Sequence, residues 1–169
     1  LNATGYDHKQ GGRNLDQAKF QTFCNCFYEA FQKMVFTIPG LELPGNYEAA
    51  ETGGKTFSSI VGVVGMNKGR IHLEMSENLA RKIYECVNGE TVDEEMDLCF
   101  YLAEFANMVT GNGVTALNNT YKGINLRLTP PAIFAGDNLE ITTPQVMTVT
   151  KLFYTQYGAI RMEIGFEGV

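Results

Sequence analysis

The sequence predicts an α+β fold, an antiparallel or mixed sheet packed against long helices, and three observations carry that expectation. Two long stretches repeat apolar residues at three- and four-residue steps, the stripe of a helix buried on one side. Two pairs of shorter runs alternate apolar and polar residues around tight turns, as hairpin strands do. The two patterns are mixed along the chain and do not alternate strictly, which argues against a parallel sheet. At 169 residues and 44% apolar side chains, the chain is sized for one core and one domain.

The elements follow in order. Residues 1–13, "LNATGYDHKQGGR", show no periodicity and read as a loose tail that holds His8. From Asn14, a helix is marked by Phe20, Phe23, Cys24, Phe27, Phe31 and Met34, and Pro39 and Gly40 end it. A short strand is expected over residues 46–51. "TFSSIVGVVGM" and "GRIHLEM" then form a hairpin closed by Asn67, Lys68 and Gly69. Ile71, Leu73 and Met75 alternate with Arg70, His72 and Glu74, so His72 is expected on a solvated face. Ser76 caps a helix reaching about Asn88, with Gly89 as its stop. Thr91 and Glu94 match a capping box that opens a long helix through Asn119. The remainder reads as strands: "INLRL", "TPPAIFAGDN", "VMTVTKLFYTQ" and "GAIRMEIGF". The last has the cleanest alternation, and Gly158–Glu167 would offer an edge to a second copy if it lay at the rim of the sheet.

Composition and motifs exclude several functions. Nineteen acidic against thirteen basic residues give a net charge of −6, with no Lys/Arg cluster that could track a phosphate backbone, so nucleic acid is not expected as a partner. Apolar runs such as "SSIVGVVGM" fall short of the roughly 20 residues of a membrane span. Cys24, Cys26, Cys86 and Cys99 lie in helical segments, which suits reduced thiols and a cytoplasmic location. Cys24 and Cys26 point about 200° apart on a helix, and no ligand cluster surrounds His72, so no metal is expected. "GGKT", Gly53–Thr56, lacks the earlier glycine of a phosphate loop, because position 49 is Ala, and leads into a strand instead of a helix. "NNT" at Asn118–Thr120 reads as a chance match to a glycosylation sequon. No serine stands in a G-x-S-x-G elbow.

"YLAEFANMVTGNG", Tyr101–Gly113, places a carboxylate and an amide inside the most apolar helix. Glu104 and Asn107 are three apart, about 60° around the helix, and so leave the same face. Asp97 and Gly111, seven residues to either side of Glu104, fall within about 20° of that line, with Tyr101 between. Gly111 and Gly113 read as a loosening of the helix just beyond.

"EFANMVTGNG", followed by "LRLTPPAIFAG", resembles the CheX-type chemotaxis phosphatases of the CheC/CheX/FliY family, whose signature is [DS]-x3-E-x2-N-x22-P. Glu104, Asn107 and Pro130 match in type and spacing, and Pro131 to Gly136 fits the P-x4-G form of the next strand. Position 100, where the signature has an acidic or hydroxyl residue, is Phe100. Asn25, Glu29 and Gln32 on the first helix look like a worn second copy of the motif and read as surface.

The resemblance spans roughly Asn14–Phe166 and implies a CheC-like fold, with residues 14–169 as one CheX-like domain. It implies a phosphatase whose substrate is a phosphorylated CheY-like response regulator. Asn107 would orient the attacking water and Glu104 would bind the regulator's active-site lysine. Tyr101, Met108 and Gly111 would touch the regulator. No cofactor would sit in this chain, since the magnesium belongs to the regulator. A homodimer formed by sheet pairing is also implied. The alternative is a non-catalytic module of the same fold that captures a regulator or motility component, and Phe100 is the feature that favours it.

Overall fold

The computed structural model describes the backbone of residues 11–16 and the whole of residues 17–43, 54–137, 139, 141 and 146–167. Helix α1 spans Gly11–Phe36. It begins three residues before the expected start, so Gly11–Arg13 belong to the helix and not to the tail. The strand expected over 46–51 lies outside the described residues. Strands β1 (Lys55–Val64) and β2 (Gly69–Ser76) form the anticipated hairpin.

Helix α2 (Glu77–Asn88) starts at Ser76, whose Oγ accepts from the Leu79 N–H at 3.3 Å, and ends at Gly89 with φ 73°. At that left-handed angle glycine carries no Cβ penalty, which is why the helix stops there. Helix α3 (Glu95–Thr120) follows. The capping box proposed at Thr91 does not form: Glu94 is the N-cap and makes no side-chain cap bond. Val92 is buried instead and its carbonyl accepts from Arg81 Nη1 at 2.6 Å, so burial and a guanidinium set the entry to α3. Glu95 and Asp97 in the first turn suit the helix dipole.

"INLRL" shortens to β3 (Arg127–Leu128). The Asn118 amide takes both backbone groups of Leu126, donating to its carbonyl at 3.0 Å and accepting from its N–H at 2.9 Å. Asn125 sits at φ 49° and the Ile124 carbonyl accepts from the Met66 N–H at 3.2 Å, so these groups are satisfied outside a ladder. Strands β4 (Ala132–Asp137), β5 (Met147–Thr155) and β6 (Gly158–Phe166) complete the sheet.

The sheet order is β3-β1-β2-β6-β5, with β4 pairing the same edge of β1 as β3, and every described pairing is antiparallel. β6 therefore lies between β2 and β5, so the condition for Gly158–Glu167 to offer an edge is not met; the described rims are β5 at one end and β3 with β4 at the other. One face of the sheet carries Phe57, Val61, Ile71, Leu73, Ile160, Met162, Ile164 and Phe166, all buried. Phe23 meets Phe166 edge-on at 5.0 Å and Phe31 lies 4.3 Å from Phe153, which seats α1 over β5 and β6. α1 and α3 pack against each other through Phe31 and Phe105, and α3 packs on β1, β3 and β4. These elements and residues form the α+β architecture of helices on one side of an antiparallel sheet.

The opposite face carries Arg70, His72, Glu74, Arg161 and Glu163. His72, expected in solvent, is buried at 1% exposure. β2 is an inner strand, so His72 has Ile60 beside it on β1 and Glu163 on β6, and long charged side chains close over the ring.

Candidate active site

Helix α3 is anchored by Leu98, Leu102, Phe105, Ala106, Val109, Val114 and Leu117, all buried. The stripe they define points into the core, so the rows on the far side carry whatever the helix presents to water. Glu104 lies there, exposed, and Asn107 is half-buried beside it. Successive positions rise about 1.5 Å, so the two Cα atoms stand about 4.5 Å apart along the axis on adjoining rows. Among the described residues neither side chain has a hydrogen-bond or ion-pair partner, so both keep their full bonding capacity toward an incoming molecule.

The other residues expected at the site divide. Met108 is 40% exposed, one turn beyond Glu104 on the same four-residue row. Tyr101 is half-buried with its ring 5.2 Å from that of Tyr84, edge to face, and burial pushes its phenol up to about 12. Its ring joins α3 to α2. Gly111 is half-buried, with Leu128 Cδ1 3.6 Å from where a Cβ would stand, so it faces β3. The helix runs unbroken through Gly111 and Gly113. The expected loosening is absent because Gly113 serves packing: an added Cβ would fall 2.2 Å from Phe27 Cδ1. The close approach is made by α1.

Pro130 is exposed in the link between β3 and β4. Its position is fixed by Thr129, whose N–H donates to the Gly62 carbonyl at 2.9 Å while its Oγ1 accepts from the Gly62 N–H at 3.0 Å. Thr129 thus holds the link against β1. On α1, Asn25 accepts from Gln21 Nε2 at 3.0 Å and Glu29 is exposed, which agrees with the surface reading of that helix. A groove of about 320 Å³ between α1 and α3 is lined by Cys26, Glu29, Ala30, Lys33, Asn112 and Ala116.

Among the described residues no three His, Cys, Asp or Glu side chains gather where they could hold a metal ion. The four cysteines are free, and burial pushes Cys24 up to about 11 and raises Cys26 and Cys99. No described helix is long and apolar enough to cross a membrane.

One feature of α3 escaped the sequence reading. Phe100 is 67% exposed and Met96 62% exposed, and with Glu104 and Met108 they form a single row at four-residue spacing. That spacing is the signal that could have revealed it.

Over residues 57–154, more than half of the chain, the sequence matches the family model described as Chemotaxis phosphatase CheX. The chain belongs to the CheX family of chemotaxis phosphatases. Solved structures share the fold. The chemotaxis protein CheX from Vibrio vulnificus aligns with a TM-score of 0.73 at 25% identity, over 86% of this chain and 96% of its own. A CheC-like superfamily protein from Shewanella sp. PV-4 aligns with a TM-score of 0.72 at 25% identity, over 87% of this chain and 98% of its own. The CheX–CheY–BeF3–Mg complex from Borrelia burgdorferi contains a chain that aligns at 0.66 and 23% identity, over 88% of this chain and 97% of that one. No curated protein matches the chain. As in these CheX and CheC-like structures, the architecture here is a CheC-like α+β fold.

Proposed function

We propose that this chain hydrolyses the aspartyl phosphate of a CheY-like response regulator, with Glu104 and Asn107 as the working pair. The observation that carries the proposal is their pairing on the outer face of α3, neighbours on a rigid helix with no competing partner among the described residues. Two groups fixed before encounter lose little entropy when a substrate arrives. The complex of a CheX with CheY, BeF3 and magnesium, which shares this fold, supports the choice of partner.

In this reading Asn107 accepts a hydrogen bond from a water and donates one to the phosphoryl group, which sets the water in line with the phosphorus. The water oxygen bonds to phosphorus as the bond from phosphorus to the aspartyl oxygen breaks. The regulator's aspartate leaves as a carboxylate and the water's proton departs with inorganic phosphate. Glu104 pairs with the regulator's lysine and fixes the encounter. The regulator supplies the magnesium. Phosphoryl transfer depends mainly on positioning and charge stabilisation, so an amide suffices for this chemistry. Glu104 can also serve as a base, although the step does not require it. The work belongs to the cytoplasm, in keeping with four free cysteines.

The expected kinetic signature separates the two roles. Glu104→Gln raises KM for the phosphorylated regulator because a charge-assisted contact is lost, whereas Asn107→Ala lowers kcat. Phe100 at the position of the signature's polar residue favours a second reading, capture without hydrolysis. The two readings share binding and differ in turnover, so a regulator that binds yet keeps its phosphate would establish the second.

A further inference from the structure

We infer that Met96, Phe100 and Met108 form an apolar docking row around Glu104, with Phe100 selecting regulators that bear an apolar side chain about one helical turn from the active-site lysine. The inference rests on the proposed phosphatase reading and adds to it the chemistry by which one regulator is preferred over another.

Row geometry carries the argument. Positions 96, 100, 104 and 108 rise about 6 Å per step and drift about 40° around the axis, which makes them one ridge of the helix. Along that ridge the order is apolar, apolar, carboxylate, apolar, and the three apolar members are 62%, 67% and 40% exposed. Phe100 also falls between Glu104 and Asn107 in azimuth, about 40° from one and 20° from the other. Along the axis the ring stands about 6 Å before Glu104, so a molecule seated on both polar groups that extends one turn toward the helix N-terminus covers it. Removing that ring and the two thioethers from water stabilises the encounter.

Charge decides the occupant. Helix α3 has no Lys or Arg, and it carries Glu95, Asp97 and Glu104, with Glu95 paired to Lys55. An apolar ridge with an unpaired carboxylate fits a cationic group ringed by apolar surface, as a receiver lysine beside an apolar side chain would be. A second copy of this chain seated on the ridge by a two-fold axis would set carboxylates against carboxylates. An aspartate or serine at position 100 would offer an ion pair or hydrogen bond there. Phe100 offers neither, so the selected neighbour is apolar.

The test uses the whole chain and CheY-like receiver domains loaded with BeF3 and magnesium, with titrations of the parent, Phe100→Ala, Phe100→Leu, Phe100→Asp and, as an off-site control, Phe36→Ala. Phe36 is another exposed phenyl ring, at the end of α1. Both phenylalanines are exposed, so their substitution leaves the fold in place, which circular dichroism checks. Phe100→Ala is expected to weaken binding about tenfold, and Phe100→Asp further, as for loss of an interface anchor. Phe100→Leu and Phe36→Ala should stay within about twofold of the parent. With phosphorylated receivers the loss in Phe100→Ala should appear in KM with kcat kept. Replacing the receiver's apolar neighbour by lysine should reverse the order of parent and Phe100→Asp. A parent that binds and dephosphorylates a receiver while every Phe100 variant matches it would overturn the docking row alone. A parent that binds no receiver would overturn the phosphatase reading together with it.

Discussion

At the scale of single residues, His72 shows how far a sequence pattern reaches. Its alternation with Ile71 and Leu73 gave the correct face of β2, opposite the helices. Its solvation was not legible, because burial on that face depends on Arg70, Arg161 and Glu163, brought together by strand pairing across about ninety residues. Burial holds the imidazole at a pKa of about 4, with Glu163 opposing and Arg161 and Arg70 reinforcing the shift. Glu74 lies 3.9 Å from Nε2. Because the folded value lies below the unfolded one, near 6.5, the unfolded chain binds the proton more readily. The stability this represents is present above pH about 6.5 and is lost as pH falls toward 4. Urea unfolding should therefore show a His72-dependent loss of about 2 kcal/mol between pH 7.5 and pH 5. The loss should be absent in His72→Gln, and an equal loss in that variant would assign it to other groups. Glu104 and Asn107 were legible for the opposite reason: their relation is local, three positions on one helix, and needs no partner strand.

At the scale of the element, α3 was read to within a residue of its C-terminal end, while its two glycines were read by their usual preference for breaks. The packing tells them apart. Gly113 lies where Phe27 of α1 presses on the α3 backbone, a contact between segments far apart in sequence and invisible in a window of neighbours. Gly111→Ala should stabilise the chain by roughly 0.5–1 kcal/mol, since the new methyl meets Leu128 at an ordinary distance and glycine in a helix interior is costly. Gly113→Ala should destabilise it by roughly 1–3 kcal/mol, because the methyl would overlap the Phe27 ring. Thermal unfolding of the two variants should therefore move in opposite directions; a shared direction would mean that α1 and α3 yield more easily than this packing requires. The α3 entry was misread for a similar reason. Thr91 and Glu94 have the local pattern of a capping box, but Val92 is drawn into the core and Arg81 takes its carbonyl.

At the scale of the molecule, the fold class was legible because helical and strand periods are strong here, but strand order was not. Gly158–Phe166 has the cleanest alternation in the chain, yet nothing in that pattern tells an edge from the inner place it occupies between β2 and β5. One rim is β5, whose residues 147–152 are exposed on both faces, among them Met147, Val149 and Leu152. An open, partly apolar strand edge of this kind favours pairing with another chain. If the chain forms the homodimer that its family resemblance implies, β5 is the expected seam. Val149→Lys should then convert the dimer to monomer in light scattering without unfolding it, and a dimer that survives would place the seam elsewhere. The measurement that bears most directly on function is the decay of a phosphorylated CheY-like regulator with magnesium present, alone, with this protein, and with Asn107→Ala. Decay should be accelerated by the parent, and the acceleration should fall roughly a hundredfold or more in the variant, which keeps its fold and its grip on the regulator. Equal acceleration by both proteins, or none by the parent once binding is confirmed, would contradict the role assigned to Glu104 and Asn107.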